Sequence, residues 1–119
     1  MDDEISPAEV ERLLGDGDDV TVVDIRAPAA FARGHIPGSV NLPFEEIPAR
    51  VQELTGAERI VTVCPHGNSS VQAARLIKSY EGTGDARVES MAGGLTEWDG
   101  DLVRDGDGSD ENGGEDAPF

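Results

Sequence analysis

The chain has 119 residues, 37% of them hydrophobic, which is enough for one domain with a buried core. Its 25 Asp and Glu outnumber its 9 Lys and Arg, and the formal net charge is −16 at pH 7. Because so acidic a surface repels nucleic acid and anionic membranes, we expect neither as a partner. There is no signal-peptide pattern and no apolar run of bilayer-spanning length, so we expect a cytoplasmic protein.

The acids are spread along the whole chain, whereas Lys78 is the only lysine. This composition resembles that of proteins from salt-loving organisms, in which molar salt screens the self-repulsion of the surface. The alternative is an ordinary acidic protein with a disordered tail. We favour the halophilic interpretation because acids also occupy the part predicted to fold.

The first half of the chain alternates predicted helices and strands. Ser6, Pro7 and Glu9 occupy the positions typical of a helix start, and this helix ends after Gly15. The elements predicted after it are a buried strand over residues 20–25, a short helix over 28–33, a short strand over 40–42 and a helix over 44–54. Pro48 favours a later start of that last helix, near Ile47.

The second half continues the alternation. Its predicted elements are a strand over residues 59–63, a helix over 70–80, a strand over 87–91 and a helix over 94–103 that buries Leu95, Trp98 and Leu102. Residues 105–119 are acidic and nearly free of apolar side chains, so we predict a disordered tail. Residues 1–104 then form one α/β domain with a mainly parallel central sheet flanked by helices.

The only cysteine, Cys64, stands where a predicted strand passes through a short loop into a helix. Gly67 allows this loop to turn, so that backbone N–H groups can converge on the sulfur. The helix start adds partial positive charge, and both effects favour the nucleophilic thiolate. A buried, inert cysteine is the alternative. With one Cys and two His, His35 and His66, no zinc spacing exists, and we expect no metal or cofactor.

Three segments in this order resemble the signatures of the rhodanese-like, single-domain sulfurtransferase family. They are Asp24-Ile25-Arg26 followed by Gly34-His35-Ile36-Pro37-Gly38-Ser39, then Cys64-Pro65-His66-Gly67-Asn68-Ser69-Ser70, and last Met91-Ala92-Gly93-Gly94-Leu95-Thr96-Glu97-Trp98. The resemblance covers roughly residues 5 to 103 and implies the rhodanese-like α/β fold.

The resemblance also implies a reaction and a site. Cys64 would take a sulfane sulfur from a donor such as thiosulfate as a persulfide and pass it to cyanide or a thiol. The substrate-binding loop would be His66, Gly67, Asn68, Ser69 and Ser70, whose backbone N–H groups hold the anion. Structural support would come from Asp24, Arg26 and His35. Partners would be the small-molecule donor and acceptor, with a sulfur-relay protein as a further candidate.

One position departs from the family pattern. Active members commonly carry Arg at the sixth loop position, where this chain has Ser69. Because an Arg would grip an oxyanionic donor, its absence puts thiosulfate in doubt. It also keeps open a second hypothesis, a catalytically weak module that binds a partner protein. A Cys-loop phosphatase is discounted, since Ser70 stands where that chemistry needs Arg.

Overall fold

The computed structural model describes residues 3–17 and 19–104. Five strands form one sheet in the order β1-β5-β4-β2-β3, and every neighbouring pair is parallel. The strands are β1 (Glu4–Ile5), β2 (Thr21–Asp24), β3 (Val40–Asn41), β4 (Arg59–Val63) and β5 (Arg87–Met91). The α/β prediction is therefore confirmed. The predicted acidic tail, residues 105–119, lies outside the described residues.

In the described part of the chain, four α-helices connect and cover the strands. They are α1 (Pro7–Gly15), α2 (Pro28–Arg33), α3 (Ile47–Arg50) and α4 (Ser69–Lys78). The predicted start of α1 is confirmed, because Ser6 Oγ accepts a hydrogen bond from Glu9 N at 3.1 Å. Within the described part of the chain, no helix has the length and apolar character needed to cross a bilayer.

The sheet is buried on both faces. On one face, Val10 and Leu13 of α1 pack into a cluster with Val61 of β4. On the other, Ala73 and Ile77 of α4 join the cluster that surrounds the opposite face. Residues on both faces of β4 are fully buried, which explains its continuous apolar run. Because β4 lies between β5 and β2, its carboxyl end lies in the middle of the sheet.

The predicted helix over residues 94–103 is wrong. A single 3₁₀ turn spans Gly94–Glu97, and Trp98 is already extended. The N–H groups of this turn bond backward to the Cys64 loop, and Val103 instead pairs antiparallel with His35. Trp98 is half-buried against the α1-side cluster, but Leu102 is 53% exposed and does not belong to the core.

Two other regions differ from the sequence prediction. Residues 44–54 form a 3₁₀ turn, the four-residue α3 and a second 3₁₀ turn rather than one helix. Pro48 occupies the first turn of α3, where its missing N–H is tolerated, and Arg50 leaves helical geometry. The two-residue β1 was not predicted, because a strand so short leaves no periodicity to detect.

Candidate active site

Cys64 lies directly after β4, and its side chain is buried, with 2% of its surface exposed. The loop that follows folds back over the sulfur. Gly67 N donates a hydrogen bond to Cys64 Sγ at 3.0 Å, and Ser70 N, in the first turn of α4, donates a second at 3.3 Å. Two backbone donors thus meet the sulfur at the helix start, an arrangement that stabilises an anion.

The loop is held by the turn after β5. Leu95 N donates to Cys64 O at 2.8 Å, and Thr96 N donates to Pro65 O at 3.0 Å. Close approach is possible because Gly94 has no side chain: an added Cβ would lie 2.6 Å from Gly67 N. Gly67 itself has φ +87, the left-handed region that favours glycine. Both glycines are therefore needed for the loop to close on the sulfur.

The surroundings of the sulfur shift its acidity. Burial raises the pKa of the Cys64 thiol, because it disfavours the charged form. The neighbouring Ser70 hydroxyl and the backbone N–H groups of Ser70, Gly67 and His66 together lower the pKa by more. The net pKa lies below the ordinary value of a cysteine, so the thiolate fraction at neutral pH is increased.

The predicted substrate-binding residues divide into two groups. Gly67 and Ser70 are buried and contact the sulfur. The side chains of His66, Asn68 and Ser69 are exposed around the loop. The structure thus brings the backbone of the loop to the sulfur and leaves these three side chains at the rim, where an incoming molecule would meet them.

Thr62 supports the loop from below and was missed at the sequence level. It is fully buried on β4, and its Oγ1 donates to Ser70 O at 2.7 Å. This bond ties the first turn of α4 to the strand that carries Cys64. The available signal was a polar residue inside the otherwise apolar run Ile60-Val61-Thr62-Val63, since buried polar groups need a hydrogen-bond partner.

Asp24 and Arg26 form an ion pair beside the site, in which Asp24 is fully buried and the Arg26 side chain is 18% exposed. Asp24 pairs in register with Val63, the residue before Cys64. Its fully buried carboxylate accepts from Arg26 N at 3.0 Å and from Arg26 Nη2 at 2.8 Å. Arg26 Nη2 also donates to Gly34 O at 2.6 Å, which ties the end of β2 to the end of α2. These contacts hold the turn after β2 in place.

His35 is also placed within the scaffold. It is buried, and its ring stacks on Phe31 with centroids 3.7 Å apart. Its Nδ1 lies 2.8 Å from Phe31 O, and its backbone exchanges two hydrogen bonds with Val103. His35 therefore joins the end of α2 to the segment that follows the last 3₁₀ turn.

Replacing Asp24 with alanine is expected to destabilise the fold by about 3 kcal/mol, the low end of the cost of breaking a buried ion pair, because the partly exposed Arg26 can still reach water. The matched control is Glu9→Ala, which removes an exposed partner of Arg12 and should leave the stability essentially unchanged. The measurement is chemical denaturation of both variants. Equal losses in the two proteins would contradict the supporting role of Asp24.

Within residues 3–17 and 19–104, no group of three or more His, Cys, Asp or Glu side chains could hold a metal ion. The thiol of Cys64 is free. The site thus combines a free cysteine thiol with backbone donors that can stabilise a sulfur anion, in an α/β domain with a parallel sheet.

Comparison with known proteins specifies this class further. The family model described as "Rhodanese-like domain" matches residues 6–101, and the chain belongs to this family. The chain is 36% identical over 98 residues to a sulfurtransferase of Allochromatium vinosum, covering 82% of this chain and 89% of that protein. It is 41% identical over 95 residues to the thiosulfate sulfurtransferase GlpE of Pseudoalteromonas translucida, covering 80% and 87%.

A solved structure supports the same fold. A rhodanese-related protein from Thermoplasma volcanium superposes with a TM-score of 0.73 at 23% identity, covering 85% of this chain and 97% of that one. Fold and relatives together make this chain a sulfurtransferase-type member of the rhodanese-like family.

Proposed function

We propose that this protein is a sulfurtransferase that carries a sulfane sulfur as a persulfide on Cys64. The observation that carries the proposal is the pair of backbone hydrogen bonds from Gly67 and Ser70 to the buried sulfur. Such donors stabilise a negative charge on sulfur without a metal or a cationic side chain. The lowered pKa of Cys64 supports the same role, because the thiolate is the attacking form.

The reaction divides into two displacements at sulfur. The Cys64 thiolate attacks the outer sulfur of thiosulfate: an S–S bond forms to Cys64, the S–S bond of the donor breaks, and its electron pair leaves with sulfite. Cyanide or a thiolate then attacks the outer sulfur of the persulfide. The new bond forms to the acceptor, the persulfide bond breaks, and its electron pair returns to Cys64 as the thiolate.

The residues of the loop take different parts in this scheme. The backbone N–H groups of His66, Gly67 and Ser70 hold the sulfur anion, while the exposed side chains of His66, Asn68 and Ser69 meet the donor and the acceptor. Asp24, Arg26 and His35 position the neighbouring turn without touching substrate. The acceptor is a small thiol, cyanide or the thiol of a sulfur-relay protein.

Thiosulfate is the proposed donor because one relative, the GlpE protein of Pseudoalteromonas translucida, is named a thiosulfate sulfurtransferase. The net charge of −16 opposes a dianionic donor, and Ser69 provides no cation to offset it. Salt screens this repulsion, so the KM for thiosulfate should be lower in molar salt than in dilute buffer.

The proposal is tested by the mass of the protein after incubation with thiosulfate. The wild type should gain one sulfur atom, which cyanide then removes as thiocyanate. Cys64→Ser, which replaces sulfur by oxygen at nearly the same size, should gain none and release no thiocyanate above background. A wild type that stays unloaded, or equal loading of both proteins, would refute the persulfide carrier.

The second candidate is a catalytically weak module that binds a partner protein. The absence of a loop Arg at Ser69 favours it, because such a module has no need to grip an oxyanion. The same measurement separates the two functions. A weak module would keep a reactive thiol at Cys64 and yet neither gain nor release sulfur.

A further inference from the structure

The hydroxyl of Ser70 is fully buried and lacks a hydrogen-bond partner. Ser70 is 0% exposed, and among residues 3–17 and 19–104 nothing meets its Oγ with hydrogen-bond geometry. An unsatisfied buried hydroxyl costs about 1–3 kcal/mol. A buried hydroxyl without a partner in one state of the protein suggests that it has a hydrogen-bond partner in another state.

Ser70 is held against the sulfur from two sides. Its backbone N donates to Cys64 Sγ at 3.3 Å, and its backbone O accepts from Thr62 Oγ1 at 2.7 Å. Its hydroxyl is among the causes that lower the pKa of Cys64, although it forms no hydrogen bond of normal geometry among the described residues. The backbone is therefore fixed, while the hydroxyl can turn about a single bond.

The nearby group that changes its hydrogen-bonding capacity is the sulfur itself. A neutral thiol is a weak acceptor, whereas an ionised sulfur accepts charge-assisted bonds that are roughly twice as strong as neutral ones. A hydroxyl beside this sulfur therefore gains a good acceptor only when the sulfur carries charge.

We propose that the Ser70 hydroxyl is a catalytic hydrogen-bond donor to the charged forms of the sulfur. It makes no hydrogen bond to the neutral thiol and donates one to the anion. The anion is the Cys64 thiolate and, resting on the proposed function, the persulfide. The serine keeps its own proton throughout, so its O–H bond does not break. The proton released when Cys64 ionises passes to water.

Ser90 supplies a matched control. Its hydroxyl is also fully buried and also without a partner among the described residues. It lies on β5, where its Cα pairs with Thr62 rather than with Cys64. Ser70→Ala and Ser90→Ala therefore remove equivalent unsatisfied groups, and neither change breaks a hydrogen bond of the resting protein, so neither should lower its thermal stability.

The test is the rate at which iodoacetamide alkylates the single cysteine, measured against pH for the full-length wild type and both variants. In Ser70→Ala the profile should move to higher pH. The rate below the wild-type midpoint should fall about tenfold, because a hydrogen bond to a charged group is worth about 1.5–3 kcal/mol. At high pH, where every sulfur is ionised, the rate of Ser70→Ala should reach or exceed that of the wild type, because a thiolate of higher pKa is the stronger nucleophile. Ser90→Ala should follow the wild type.

Several outcomes would overturn the proposal. One is a Ser70→Ala profile that superposes on the wild type or that Ser90→Ala reproduces. Another is a melting temperature that falls in Ser70→Ala and not in Ser90→Ala, which would mean a partner in the resting state. Ser70→Gly, which also removes the hydroxyl, replaces Ser70→Ala if that variant does not fold.

Alkylation requires no sulfur transfer, so this measurement stays informative even if the persulfide hypothesis fails. After loading with thiosulfate, the persulfide of Ser70→Ala should also pass its outer sulfur to added cyanide faster than that of the wild type, forming thiocyanate and returning the electron pair to Cys64 as the thiolate. A wild type that never loads refutes the proposed function alone. A loaded Ser70→Ala that keeps its sulfur as long as the wild type refutes the role of Ser70 at the persulfide.

Discussion

Replacing Gly94 with alanine is expected to destroy the candidate site and to lower the stability of the domain substantially. Gly94 has φ +67, and an added Cβ would collide with Cys64 O and lie 2.6 Å from both Gly67 N and Pro65 C. All three are backbone atoms, which cannot turn aside as a flexible side chain would. The left-handed conformation costs an alanine about 1–2 kcal/mol, and overpacking adds about 1–3 kcal/mol. The Cys64 loop should therefore separate from the turn after β5.

The matched control is Gly38→Ala. Gly38 has φ +82, but no atom lies within 4 Å of the position of its Cβ, so this variant has the conformational cost alone. Denaturation gives the two free energies of unfolding, and alkylation of Cys64 reports on the site. Gly94→Ala should lose more stability and at least tenfold in alkylation rate near neutral pH, while Gly38→Ala keeps the wild-type rate. Similar behaviour of the two variants would show that contact with Gly94 does not shape the loop.

Raising the salt concentration from dilute buffer to the molar range is expected to stabilise the protein steeply. Of the 25 acids, 19 lie in residues 1–104, where they face all nine Lys and Arg. The Debye length falls from roughly 10 Å at 0.1 M to 3 Å at 1 M, which removes most of the repulsion between them. A gain of about 2 kcal/mol would raise the melting temperature by roughly 8–16 °C in a domain of this size.

Salt also weakens attractive ion pairs, and this opposes the stabilisation that comes from screened repulsion. Arg12 bridges Glu9 and Asp16, and Arg50 bridges Glu46 and Glu53, all at the surface. Exposed pairs of this kind contribute little to stability. The unpaired excess of acids is larger and acts over longer distances, so screening of the repulsion should prevail.

Truncation after Arg104 separates the two interpretations of the acidity. The shortened chain loses six acids and no cation. If the acidity is a halophilic adaptation of the domain, the truncated protein should keep a steep rise of melting temperature with potassium chloride. If the protein is an ordinary acidic one with an acidic tail, the rise should disappear. Sucrose at matched osmolality controls for stabilisation that does not depend on charge.

The sequence predicts most of the sheet because its central strands leave a strong pattern. β4 was placed with its observed bounds, since five residues bounded by a turn and a cysteine loop leave few other arrangements. The start of α1 was equally predictable, because the capping Ser6, the following Pro7 and the acidic Glu9 are local signals. Local propensity and final structure agree at these positions.

The last predicted helix fails because the chain turns away to pair with a distant segment. Trp98 is extended, and Val103 exchanges two backbone hydrogen bonds with His35 instead of continuing a helix. No pattern within residues 94–103 predicts this partner. Apolar residues at helical spacing therefore misled the prediction, and Leu102 is exposed.

The site was predicted in outline and incompletely in detail. Cys64 and its glycine loop follow from composition and position, whereas the separation of buried Ser70 from exposed Ser69 depends on where α4 begins. The Thr62 bond to Ser70 O spans eight residues and joins two elements. Such contacts emerge only when the strand and the helix have packed.

The position of β5 in the sheet has a consequence for synthesis. β5 lies between β1 and β4, and its register pairs Ser90 with Glu4 on one side and with Thr62 on the other. While the ribosome has not yet released this strand, β1 has no neighbour and one edge of β4 stays open. Pairing of the two ends of the chain is non-local and slow. The nascent protein therefore exposes an aggregation-prone edge until nearly its whole domain has emerged, and a chaperone that shields strand edges should raise its folding yield.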